Sequence, residues 1–152
     1  MENIAVFHDR GPVDIGIVET FEKRVGVRFP SDYKGLVTKH DALRPELRHF
    51  KYKYQGKEQV GDISFFGYGD PDDPEAVINV QETNYITGKI VVFGGTANGD
   101  YVVFDYRNSL KSPSIGVMLH DVFEDNGELV LLHVSDNFLS FVNSLISVES
   151  LD

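Results

Sequence analysis

Asp70, Asp72, Asp73 and Glu75 place four carboxylates within six residues. Oxygen ligands at that density can hold Ca²⁺. An EF-hand loop, however, needs Gly at its sixth position and Glu at its twelfth, and a loop carrying Pro71 and Pro74 fits neither. What remains is a solvated turn or a docking patch for a basic protein face, where carboxylates steer association and lend specificity. A second acidic group, Asp121, Glu124 and Asp125, lies between His120 and His133. Two imidazoles and a carboxylate would bind Zn²⁺ if folding brought them together, but nothing in the spacing requires it. The run Gly94-Gly95-Thr96-Ala97-Asn98-Gly99 has the glycine content of a phosphate cradle. A P-loop ends in Lys-Ser/Thr and leads into a helix, whereas here Asp100 and an apolar run follow, and a carboxylate repels phosphate. Neither Gly-x-Ser-x-Gly nor His-Glu-x-x-His occurs, so a nucleophilic or zinc hydrolase has no support in the sequence. The expectation is a binder without catalytic, cofactor or metal residues.

Charge narrows the partner. The chain carries a net −10, unevenly placed. Residues 1–57 hold 11 Lys+Arg against 8 Asp+Glu, a net of +3, while residues 58–152 hold 3 against 16, a net of −13. Lys51, Lys53 and Lys57 with Tyr52 and Tyr54 have the residue types of a single-strand nucleic-acid platform. Phosphate affinity depends on accumulated positive charge, so −10 argues against nucleic acid and for a basic partner. The plainer reading is that acidic surface keeps the protein soluble. There are no cysteines, which excludes disulfides and thiolate metal sites and is compatible with a reducing cytoplasm. The opening residues show neither the basic nor the long apolar region of a signal peptide, and no run of about 18 apolar residues exists. A cytoplasmic protein without a membrane span is expected.

The elements that must position these groups follow from periodicity. Ile17, Phe21 and Val25 with Val18 predict a helix over Pro12–Val25, with Asp14 as N-cap and Gly26 at the positive-φ C-terminal position. A second helix starts in Phe29-Pro30-Ser31-Asp32-Tyr33, capped by Ser31 or Asp32, with Tyr33, Leu36, Val37 and His40 on its apolar side. Gly35 weakens it or allows close packing. His40–Pro45 is expected as loop, His49–Tyr54 as an alternating strand, and Asp62–Gly67 as an apolar strand. Pro74 opens a short helix to about Asn84. Ile90–Phe93 and Tyr101–Phe104 flank Asn98-Gly99, whose positive-φ preference predicts a tight hairpin turn. Within that hairpin Asp105 shares a face with Tyr101 and Val103, and Asp100 with Val102, Phe104 and Tyr106; each Asp needs a partner if buried. For Asp105, a Tyr, Arg107 or a backbone N–H would serve. Ile115–Leu119 and Leu129–Val134 are further strands around Glu124-Asp125-Asn126-Gly127, and a final helix buries Phe138, Phe141, Val142 and Leu145 behind a Ser135 or Asp136 cap. End helices and hairpin-linked strands predict an α+β fold. The expectation is one domain over 1–152, a mainly antiparallel sheet of about six strands flanked by N-terminal helices and a C-terminal helix.

Three segments together carry a resemblance. Glu22 to Tyr33, EKRVGVRFPSDY, the hairpin Val92 to Arg107, and the helix Phe138-Leu139-Ser140-Phe141-Val142 are similar in order and spacing to the SUKH superfamily. The motif residues on this match are Gly26, Pro30, Tyr33, Gly94, Gly99, Asp100 and Asp105. Family members often carry Asn-Gly-Gly after the second helix, where this chain has His40-Asp41-Ala42-Leu43-Arg44-Pro45, and often carry Trp, which this chain lacks. The resemblance implies a non-enzymatic binding protein. Its bacterial members look mostly like immunity proteins that neutralise toxins, often nucleases; others are Smi/Knr-type regulators of fungal cell-wall glucan synthesis. The leading expectation is an immunity protein that binds a basic toxin domain through Asp70, Asp72, Asp73, Glu75, Asp121, Glu124 and Asp125. A cell-wall regulator and a small-ligand or metal-binding domain are the alternatives.

Overall fold

The computed structural model describes residues 4–83, 86 and 88–151. Helix α1 spans Ile15–Val25. It starts three residues later than the periodicity predicts, because the N–H of Val13 is bonded to Thr38 O at 2.8 Å and the chain there is held extended against the next helix. Asp14 caps α1 as expected, accepting from Gly16 N at 2.9 Å, and Gly26 ends it at φ 76°. The buried stripe is Val18 and Phe21, while Ile17 is exposed. Helix α2, Ser31–Lys39, has Pro30 as its N-cap and no side-chain cap. The fixed φ of proline begins the helix at once, so Ser31 and Asp32 fall inside it and cannot cap it. A Cβ on Gly35 would meet open space, so this glycine serves no close packing.

A short strand β1, Val6–His8, pairs with β2, Arg44–Pro45, inside the expected loop. β3, His49–Tyr54, pairs antiparallel with β4, Lys57–Asp62. The sequence reading misses β4, whose residues are mostly polar. Its signal is the turn: Gln55 and Gly56 both take positive φ, 53° and 77°, as a two-residue hairpin loop requires. The main sheet has the order β5–β6–β7–β8–β9, all antiparallel, with β5 Ser64–Phe65, β6 Ile90–Gly95, β7 Tyr101–Asp105, β8 Ser114–Phe123 and β9 Leu129–Ser135. The fold is α+β, with five strands in the principal sheet and the rest in two small ladders.

Helix α3, Val77–Thr83, lies against β6; the predicted end at Asn84 falls outside the described residues. Gln81 fastens α3 to the sheet. Its Nε2 donates to Ile86 O and Ile90 O at 2.8 and 2.9 Å, and its Oε1 accepts from Val92 N at 2.9 Å. Helix α4, Phe138–Asn143, is capped by Asn137, which accepts from Ser140 N at 2.8 Å. Ser135 cannot be the cap because β9 runs through it.

The core is aromatic. Phe93 of β6 stacks on Phe104 of β7 with centroids 4.3 Å apart, and Tyr33 of α2 meets the Phe104 ring edge-on at 4.9 Å. Phe138 of α4 completes the group. Aromatic pairs prefer these offset and edge-to-face geometries and gain about 0.5–1.5 kcal/mol each beyond their burial. The buried hydroxyls are satisfied: Tyr33 and Tyr68 share a hydrogen bond of 2.6 Å, and Tyr106 donates to Arg28 O at 2.7 Å. Burial pushes the pKa of all three phenols up, so they stay neutral and protonated.

Candidate functional site

Asp73 and Glu75 of the first acidic group line a cavity with Gly95–Ala97 of the β6–β7 turn, and the second acidic group lies past the same end of β7. β5 pairs with the last residues of β6, Ser64 opposite Gly95. Tyr101, the first residue of β7, faces Met118, so β8 continues from Leu119 to Phe123 past the end of β7, with β9 as its paired strand among the described residues. The β6–β7 turn lies between β5 and this β8–β9 arm. Both hairpin loops close alike. Thr96 N donates to Asp100 O at 2.9 Å and Gly99 N to Thr96 O at 3.0 Å, with Gly99 at φ 88°. Glu124 N donates to Glu128 O at 2.7 Å and Gly127 N to Glu124 O at 3.0 Å, with Gly127 at φ 87°. Gly99 alone takes positive φ, so this is a longer loop than the two-residue Asn98-Gly99 turn the sequence predicts.

The first acidic group is a chain of carboxylate-held turns. Asp70 Oδ1 accepts from Asp72 N at 3.0 Å, and Asp73 Oδ1 from Glu75 N at 2.9 Å. Asn79 of α3 clamps the loop, donating to Pro71 O and Asp73 O at 2.8 and 2.9 Å. Asp73 pairs with Arg10 at 2.9 Å, and the Glu75 N–H together with that guanidinium hold its carboxyl below the usual carboxylate range. Asp73 is therefore half-buried and neutralised, whereas Asp70, Asp72 and Glu75 are exposed. Asp73 and Glu75 share an open cavity of about 520 Å³ with Arg44, Asp62 and the Gly95–Ala97 turn. Its wall alternates in sign and is not uniformly acidic.

The second group rides on the arm. Asp121, Glu124 and Asp125 are exposed, and neither Glu124 nor Asp125 has an ion pair among the described residues. Phe123, between them in sequence, is 62% exposed. At the base of the arm His120 is bound by Asp100, while His133 pairs separately with Asp136 at 3.1 Å. The two histidines are thus held by different carboxylates. No group of three or more His, Asp or Glu is placed to hold a metal ion among the described residues.

Residues 12–144 match the model of the SMI1 / KNR4 family (SUKH-1). The chain belongs to this family. The match begins just before α1 and ends just after α4, leaving β1 outside it. Neither a curated protein nor a solved structure matches the chain. No helix among the described residues is long and apolar enough to cross a membrane.

The residues on which the SMI1 / KNR4 resemblance rests have structural work in this chain. Gly26 ends α1, Pro30 begins α2 and Tyr33 anchors the aromatic core. Gly94 is a glycine for packing: a Cβ there would meet Ile63 Cδ1 and lie 2.8 Å from Ser64 O. The strand beside it, where a phosphate cradle would be open, fills that space. Asp105 is satisfied by Arg107, which donates from its backbone N, Nε and Nη2 at 3.0, 2.9 and 2.8 Å. Burial raises the Asp105 pKa, but the Arg107 bonds outweigh it and hold the carboxyl below its ordinary value.

Two positions that matter are not singled out by the sequence. Asp41 is buried and accepts from Tyr68 N and Gly69 N at 2.7 and 3.0 Å, while its own backbone is bonded to Arg10 and Gly11. It organises the stretch where this chain departs from the common family pattern, and it fixes the start of the first acidic loop. A lone Asp after a helix gives no sequence signal for this. Phe123 falls beyond the predicted strand Ile115–Leu119, whereas in the structure it ends β8; its signal is an aromatic placed directly before a polar turn.

Proposed function

We propose that this SMI1 / KNR4 family chain is a non-enzymatic binding module of the immunity type, which docks a basic toxin domain on the rim formed by the two acidic groups. The observation that carries the reading is that Asp73 and Glu75 share a cavity with the β6–β7 turn while Asp121, Glu124 and Asp125 ride on the arm past the same turn, with Phe123 exposed there. Exposed carboxylates draw in a basic partner and set its orientation, and an aromatic at the centre of an interface supplies the anchoring contact. Asp121, Glu124 and Asp125 present exposed charge. Asp70, Asp72 and Glu75 add to it, while Asp73 serves the loop through Arg10. Occupying a toxin's basic face would cover a site built to hold nucleic-acid phosphates or block access to it. Co-expression with the toxin encoded beside this chain tests the reading. A stable complex and protection of a susceptible cell are expected; normal killing with no complex would sink it.

A further inference from the structure

Helix α2 begins beside a second cavity, of about 550 Å³, built from elements other than the acidic rim. Lys23 of α1, Arg28 of the connection, Lys34 of α2 and Lys111 from the β7–β8 loop all line it, with Glu22 as the one carboxylate. Four cations line this one open cavity in a chain of net −10, with Lys23, Arg28 and Lys111 exposed, and Lys111 is one of only three Lys+Arg after residue 57. Glu22 does not cancel them all. Its Oε2 accepts from Phe29 N at 2.5 Å and its Oε1 from Lys34 Nζ at 3.2 Å, so its charge is spent on the chain itself and on Lys34. Lys34 also lies 3.7 Å from Glu19. Lys23, Arg28 and Lys111 have no ion pair among the described residues.

The wall is held in place. The Arg28 carbonyl accepts from the buried Tyr106 hydroxyl at 2.7 Å, and Phe29 N is tied to Glu22. The connection that carries Arg28 is therefore fixed to the core on one side and to α1 on the other. Pro30 gives α2 no side-chain cap, and the first N–H to find a helical acceptor is that of Lys34, bonded to Pro30 O at 3.1 Å. The N–H groups of Ser31 and Asp32 precede it, at the positive end of a nine-residue helix. Asp32 is exposed and does not line the cavity.

We propose that this cavity binds the phosphate group of a small phosphorylated molecule. Three unpaired cations favour a dianion over a single carboxylate, since each adds its own attraction and Arg28 can grip two oxygens at once. The backbone N–H groups of a helix start supply uncharged donors to the same oxygens. The volume exceeds that of a bare oxyanion and leaves room for an organic body along Val27 and Pro30. The assignment is independent of the rim and of any toxin.

Amide NMR of the full chain tests it, by titration with inorganic phosphate and, separately, a nucleoside 5′-monophosphate at constant ionic strength. Saturable shifts at the Ser31 amide are expected, with binding at least tenfold weaker in an Arg28→Glu, Lys111→Glu variant. They should be unchanged in Lys51→Glu, Lys53→Glu, which alters charge equally elsewhere. Tighter binding of the nucleotide would assign the organic body to the site, and equal binding would assign free phosphate; both uphold the phosphate site. Shifts that do not saturate, that sodium chloride reproduces, or that survive the Arg28 and Lys111 reversals would overturn it.

Discussion

Asp100 holds His120 at two points, accepting from its backbone N–H at 3.1 Å and meeting its ring Nδ1 at 2.6 Å. A carboxylate only accepts, so Nδ1 carries a proton, and Nε2 faces Asp121 at 3.8 Å. The relationship joins the β6–β7 turn to the base of the β8–β9 arm. The Asp100 bond is the largest influence raising the pKa of His120, with burial opposing it and the charge of Asp121 adding to it.

A pH dependence follows with a definite sign. His120 binds its second proton more readily in the folded chain than in the unfolded one, where its pKa is about 6.5. Stabilisation from the pair is therefore complete below that value and is lost as pH rises through the raised folded value. Thermal melts of the natural chain and of His120→Gln should differ more at pH 5.5 than at pH 8.5. A gap independent of pH would show that the imidazole charge contributes nothing.

Asp41→Ala should be among the most damaging single changes outside the aromatic core. It strips the acceptor from the N–H groups of Tyr68 and Gly69. Leaving the buried Tyr68 donor unsatisfied costs about 1–3 kcal/mol, while the exposed Gly69 N–H turns to water. Urea denaturation is the check, with a lower midpoint and an unchanged slope expected.

Gly94→Ala and Gly35→Ala should act in opposite directions. A Cβ at Gly94 lies 2.8 Å from the Ser64 carbonyl, and a backbone atom cannot swing away. Overpacking of this kind costs about 1–3 kcal/mol. At Gly35 the space is open and the backbone helical, so alanine should stabilise by about 0.5–1 kcal/mol. Equal melting temperatures for the two variants would refute the packing role of Gly94.

The parts legible in the sequence were those with strong local rules. Asp14 before α1 and Gly26 after it obey capping chemistry, and Tyr101–Phe104 obeys strand composition, so both caps of α1 and strand β7 stand where the sequence puts them. Strand β4 was illegible because pairing with β3 and not side-chain pattern makes it a strand. The α4 cap was misplaced because β9 extends to Ser135, a tertiary fact. At the candidate site, sequence spacing identified exposed acidic loops but could not reveal that Asp73 is neutralised by Arg10, which lies 63 positions away. Nor could it show that β8 outruns β7 and carries Phe123 clear of the sheet.

The arm should matter for partner binding and little for folding. Asp121→Lys, Glu124→Lys and Asp125→Lys change exposed side chains, and surface changes of this kind usually stay within about 0.5 kcal/mol each. Removing acidic steering should slow association by about tenfold or more at low salt and erase most of its salt dependence.

The most direct measurement of the proposed docking is therefore the association rate of a basic toxin domain, where one is encoded beside this chain, taken for the natural protein and for the triple-lysine arm at low and high salt. Fast, salt-sensitive association is expected for the natural chain and slow, salt-insensitive association for the variant, with both equally folded. Identical rates for the two proteins would contradict the proposed docking.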